Sequence, residues 1–271
     1  MRQTLRRLSR LVRFLGAAFG VALQQQLAHR TNLAVALVTT AFGASGTIGA
    51  LAAVYAHVER LAGWRFGEAV VLLGIYLVVT ALLETFVWPN LQWFGDQVKN
   101  GSLDDILLTP VPSLFLASFR SCHPLALSNA LIGAGIAAGG VLALGQDASL
   151  VTPANVIACL LLILAGTIVA WALRLLMACI AFWSPGLEPA MFYAGAWQLG
   201  RYPLDVYAPW VRTLLTYVIP VAYVSTLPAL TLTRGADPLV LLGGLVAATV
   251  AVGLVGLVWQ AGLRRYTSAT S

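Results

Sequence analysis

The chain is 271 residues long, 59% hydrophobic and only 10% charged, with a mean hydropathy of +0.85. Soluble domains carry charge on about a quarter of their residues, so this composition describes an integral membrane protein without a sizeable soluble domain. The formal charge of +6 is carried by arginines and a single lysine set between apolar runs; that placement suits orientation in a lipid bilayer and argues against a nucleic-acid partner.

With about 20 apolar residues needed per helical span, the apolar runs predict an all-α fold of six transmembrane helices preceded by an amphipathic interfacial helix. That first helix covers residues 1–30. On a helical wheel Leu5, Leu8, Val12, Leu15 and Phe19 share one side, while Arg2, Arg6, Arg7, Arg10 and Arg13 gather on the other, the pattern of a helix lying in the headgroup plane. A secretory signal peptide is the competing reading. It fits less well, because the arginines run through the helix and Gln24, Gln25 and Gln26 follow without a cleavage box.

The first span is expected at 33–58, where Ala41, Ser45 and Gly49 form a small-residue stripe suited to close helix packing. Trp64 reads as an interfacial aromatic, and the second span follows at 66–88. Glu84 lies near its end and has two readings, a functional intramembrane carboxylate or a side chain reaching the headgroups.

Residues 90–112 form a polar island between apolar runs. Gly101 breaks whatever precedes it, and Ser102 with Asp105 three residues later makes a capping box for a short helix beginning at Leu103. Asp104 and Asp105 then occupy the first turn, where the helix dipole favours carboxylates, and Pro110 ends the helix after about two turns. Leu103, Ile106 and Leu107 are its apolar knobs. Too short to span and too apolar for a plain linker, it reads as an element built to be pushed.

A surface helix with Arg120, His123 and Pro124 leads to the third span at 125–145, where Gly135 and Gly139 offer another small-residue face. His123 has no second histidine nearby and reads as a polar anchor rather than a proton relay or metal ligand. The fourth span, 155–183, holds Arg174, whose insertion costs about 2.5–3.5 kcal/mol at a helix centre; Glu84 is its natural partner. Residues 184–210 are rich in breakers and read as an interfacial or re-entrant segment. The fifth span is expected at 211–232, kinked at Pro220 and Pro228, and the sixth at 238–263.

Six spans with a cytoplasmic amino terminus place Arg2, Arg6, Arg7, Arg10, Arg13, Arg30, Lys99, Arg120, Arg201, Arg212, Arg264 and Arg265 inside, against Arg60, Arg65 and Arg234 outside. This asymmetry sets both termini and the 90–112 island in the cytoplasm. No catalytic cluster of His, Asp or Glu falls within the spans, and Cys122, Cys159 and Cys179 show no metal-ligand spacing. A P-loop is excluded because the sole lysine, Lys99, is followed by Asn100. No catalytic, metal or cofactor-binding residue is therefore expected in this chain.

The Arg-rich first helix, LETFVWPN at 83–90, GSLDDILLTPVPSLFLASFR at 101–120, and GRYPLDVY followed by VIPVAYVSTLPA within 200–229 resemble the membrane subunit of type 2 ATP-binding-cassette exporters. More narrowly, they resemble the six-span permeases of the viologen/multidrug-exporter-like branch. The resemblance covers nearly the whole chain and is sharpest at Gly101, Leu103, Asp104, Leu107 and Pro110. It implies a permease in a bacterial cytoplasmic membrane, with the 90–112 loop holding a coupling helix between spans two and three. It also implies two copies of an ATPase subunit that bind ATP and Mg, and a second permease chain forming a homodimer or related heterodimer. The implied activity is efflux of an amphipathic or lipophilic small molecule: a drug, an organic cation or a lipid-like compound. The short stretch from Thr233 to Asp237 departs from relatives that carry sizeable helices between spans five and six. A secondary transporter, a membrane-embedded enzyme and a non-transporting scaffold are the other classes weighed; no internal repeat supports the first.

Overall fold

A computed structural model of the protein describes residues 2–27, 30–104, 108, 109, 111–145, 150–184, 187 and 190–266. The predicted coupling residues Asp105, Ile106, Leu107 and Pro110 lie outside them. The helices are α1 (Arg2–Leu27), α2 (Arg30–Tyr55), α3 (Phe66–Phe86), α4 (Trp88–Lys99), α5 (Ser113–Phe119) and α6 (Leu127–Ala143). They continue as α7 (Pro153–Cys179), α8 (Ala190–Gln198), α9 (Pro209–Thr213), α10 (Thr226–Arg234) and α11 (Pro238–Leu263). Among the described residues, five helices are long and apolar enough to cross a membrane: Ala34–Tyr55, Phe66–Phe86, Pro124–Ala143, Pro153–Phe182 and Pro238–Leu263.

Helix α3 is the buried post of the bundle. It meets α6 along a seam of glycines, where a Cβ on Gly74 would lie 2.5 Å from the Gly133 carbonyl oxygen and 2.7 Å from the Ala137 methyl. One turn and more away, a Cβ on Gly140 would lie 2.6 Å from the Val71 amide and 2.8 Å from the Gly67 carbonyl. Absent side chains let the two backbones touch, which is how helices associate where lipid removes the hydrophobic drive between them. The expected face at Gly135 and Gly139 is a correction: both glycines look onto open space, and the seam runs through Gly133 and Gly140 instead. Ala41, Ser45 and Gly49 likewise face outward, while α2 packs within the chain through Ala44 and Leu51.

The bundle has two ends. At one, Trp64 is buried, its indole N–H donates to Asp205, and the Arg234 guanidinium lies 5.2 Å over its ring. Arg234 also pairs with Glu68 at 2.8 Å and donates to the Gly63 carbonyl. That hydrogen bonding to Glu68 holds the Arg234 guanidinium above its ordinary pKa. At the other end Phe94, Phe182 and Trp259 form a three-ring knot with centroids 5.2–5.8 Å apart.

Between these ends the fifth span departs from expectation. Phe182 sits in the three-ring knot and Asp205 bonds to Trp64, so the chain traverses the bundle between them, through α8 and a 3-10 turn at Leu199–Arg201. Val211–Leu232 is not one helix. It consists of α9, a π turn at Leu214–Val218, a 3-10 turn at Val221–Tyr223 and α10. Arg212 pairs with Asp205 at 3.1 Å and Arg234 pairs with Glu68, so both arms leave from the Trp64 end. The hairpin tip reaches mid-bundle, where the Ser225 hydroxyl donates to the Gly200 carbonyl and Tyr223 packs on Gly166. Pro220 breaks the descending arm, whereas Pro228 sits in the first turn of α10, where its missing N–H costs nothing. Residues 209–234 thus form a hairpin whose tip lies within the bundle.

Gly74→Val or Gly133→Val forces a branched side chain into backbone and should lower the thermal unfolding temperature of the detergent-purified protein, at a cost of about 1–3 kcal/mol or more. Gly135→Val and Gly139→Val, facing open space, should leave it within about 0.5 kcal/mol.

Candidate functional site

Two features stand out, a cavity between the helices and the loop at the three-ring end. The loop begins with α4, whose Phe94 and Val98 are buried against Leu175, Cys179 and Val255 of α7 and α11. It ends in a Schellman motif: Gly101 has φ +66°, the Ser102 amide donates to the Gln97 carbonyl and the Gly101 amide to that of Val98. Gly101 is the helix breaker the sequence predicts. Asn90 closes the base of the loop. Its side chain is buried, accepts from the Ser121 amide at 2.8 Å and donates to the Phe86 and Ser121 carbonyls.

The predicted coupling residues divide. Leu103 is fully buried in this chain's own core and its amide donates to the Tyr266 hydroxyl, so it anchors the loop to the end of α11 rather than projecting from it. Ser102 donates to the Gln97 side chain. Asp104 is helical, and the Leu108 amide donates to its carbonyl at 3.0 Å. Leu108, which the sequence reading passed over, is 85% exposed. Among the described residues of the island it is the most exposed large apolar side chain. Its signal was present in the sequence as the last apolar residue before Pro110.

The cavity, of about 1080 Å3, lies between α1, α2 and the group α3, α7 and α8. Tyr76, Thr80 and Glu84 of α3 recur every four residues and form one wall, away from the face that Gly67, Val71 and Gly74 give to α6. Arg174 and Arg201 face them, with His123 and Asn129 also lining the space. Arg174 and Glu84 both line this cavity. Their interaction acts through space, because Glu84 makes no ion pair within 4 Å among the described residues. Arg174 instead lies 4.7 Å over the Trp197 ring and 5.5 Å over Trp88, and Arg201 lies 5.7 Å over Tyr76. Trp197 packs on Tyr76 at 5.9 Å and donates to the Thr80 hydroxyl at 3.2 Å. The Asn129 side-chain oxygen is buried without a hydrogen-bond partner among the described residues, an open polar position beside the cavity. Gln26 of α1 accepts from the Leu125 amide, which fixes the cavity's remaining wall.

A family model described as ABC-2 family transporter protein matches residues 43–270. The chain belongs to the ABC-2 family of transporter proteins. No match to a curated protein or a solved structure was found. As an ABC-2 permease the chain is the membrane component of an ATP-binding-cassette transporter, and it works in the membrane with an ATPase of that class. Membership agrees with the coarse reading of the sequence, a multi-pass permease without the ATPase motif. The aromatic bed under Arg174 is what sequence reasoning missed in this ABC-2 permease: Trp88 and Trp197 are far apart in the chain and carry no local signature.

The cavity makes a labelling prediction. The three native cysteines are buried, and burial pushes the Cys122 thiol above its ordinary pKa, so the unmodified protein should react little with a water-soluble maleimide. Thr80→Cys and Glu84→Cys, on the cavity wall, should label readily, while Val79→Cys and Leu83→Cys, fully buried, should not. Uniform labelling along α3 would contradict the cavity.

Proposed function

We propose that this permease exports an amphipathic or lipophilic small molecule, within the range of drugs, organic cations and lipid-like compounds, using ATP and Mg bound by two copies of a separate ATPase subunit. The observation that carries the reading is a drug-sized cavity that combines aromatic rings with charged and polar side chains, walled by bundle helices that the 90–121 loop grips at their end. The chain works as a dimer, of itself or with a related chain, in a bacterial cytoplasmic membrane. It makes six crossings, the number of the viologen/multidrug-exporter-like branch it resembles, and the fifth includes α8 and the turn at Leu199–Arg201. Both termini and the loop are cytoplasmic. Arg212 belongs with Arg60, Arg65 and Arg234 at the Trp64 end, and Arg201 lies inside the bundle, yet the remaining basic residues keep the positive-inside asymmetry.

The mechanism is mechanical. ATP-driven closure of the ATPase subunits pushes on the loop at Leu108 and Asp104. Asn90 and the Phe94–Phe182–Trp259 knot make the loop move with the ends of α7 and α11. Rigid-body rocking then alternates access to the cavity.

Everted membrane vesicles containing the permease and its ATPase should accumulate a fluorescent amphipath only when ATP is added. Accumulation that follows a proton gradient and survives loss of the ATPase would favour a secondary transporter. Phe94→Ala removes the central ring, at about 3–5 kcal/mol for a buried aromatic. If the folded fraction is isolated, it should still bind the ATPase but transport at least about tenfold more slowly.

A further inference from the structure

The charges of the cavity narrow its ligand. The wall carries two guanidinium groups, Arg174 and Arg201, against one carboxylate, Glu84. Positive charge this deep in an apolar bundle is costly and marks a functional pathway. The aromatic faces are also spoken for: Trp88 and Trp197 lie under Arg174, and Tyr76 lies under Arg201, all within 6 Å. A lipophilic cation recognises open aromatic faces, and here guanidinium groups already cover them. A guanidinium is a planar fork of N–H donors, the geometry that takes a carboxylate or phosphate through paired hydrogen bonds. The volume of about 1080 Å3 leaves room for an apolar body beyond the headgroup.

From this we infer that the cavity takes an amphipathic organic anion, an apolar body bearing a carboxylate, sulfonate or phosphate headgroup held by Arg201 and Arg174. The inference rests on the permease reading above and specifies its substrate. Glu84 supplies the opposing charge, which keeps the anion from being held too tightly to leave. The same headgroup chemistry belongs to soluble amphipathic acids and to anionic lipids.

The test uses the full-length protein in phosphatidylcholine nanodiscs with two matched probes, pyrenebutyrate and pyrenylbutyl-trimethylammonium, read by energy transfer from tryptophan to pyrene. The anion should bind at least about tenfold more tightly than the cation. Arg201→Gln should weaken the anion by about tenfold, and Arg201→Lys should recover part of that loss, because the charge returns without the planar fork. Glu84→Gln should not weaken the anion. Replacing a third of the lipid with phosphatidylglycerol separates the sources: a loss of probe binding in the unmodified protein but not in Arg201→Gln identifies a lipid headgroup, and unchanged binding identifies a soluble anion. Equal or tighter binding of the cation, or an anion affinity indifferent to Arg201→Gln, overturns the inference. ATP-driven export in vesicles would then still stand, so the two failures are distinguishable.

Discussion

Backbone-to-backbone contact through glycine sets the geometry on which the rest of this permease depends. In lipid, helices gain nothing by hiding apolar side chains from one another, so close packing must hold them. Gly67 and Gly74 of α3 take Gly133 and Gly140 of α6 at distances no side chain would permit, and Gly166 admits the backbone at Tyr223 in the same way. The first contact commits one face of α3 to α6 and leaves Tyr76, Thr80 and Glu84 to line the cavity. The second lets the re-entrant hairpin reach mid-bundle, where Ser225 bonds to Gly200.

Charge is confined to places where this packing can support it. At the Trp64 end, Glu68, Asp205, Arg212 and Arg234 tie the hairpin to the start of α3. In the interior, Arg174 and Arg201 rest on aromatic rings beside the cavity. At the opposite end aromatic rings make the join, and Phe94 ties the loop to α7 and α11. The Leu108 amide donates to the Asp104 carbonyl, and the adjoining Leu103 amide donates to the Tyr266 hydroxyl just beyond α11; the mechanical role of this connection belongs to the proposed mechanism.

Hydropathy and breaker residues made much of this legible from sequence: the membrane class, the run of apolar helices, and Gly101 as a helix stop. The broken form of Val211–Leu232 was not legible. Val211–Leu232 is as apolar as a span, and hydropathy reports only that a segment is away from water, not whether it returns to the side it entered from. Ala190–Gln198 is too short to read as a span, and a 3-10 turn at Leu199–Arg201 follows it directly. Small-residue spacing gave the right kind of contact at the wrong glycines, since Gly133 and Gly135 differ only in which face of α6 they occupy. Leu103 read as an exposed knob because the sequence could not show that the loop folds back on Tyr266.

The most direct test of the account is co-purification of the cognate ATPase with the permease carrying Asp104→Lys and Leu108→Asp together, both at the loop tip. The account predicts that the unmodified protein retains the ATPase and that the double variant, equally folded in detergent, loses it by at least about tenfold. Retention of the ATPase by the double variant, or stable purification of the unmodified protein with no ATPase at all, would contradict it.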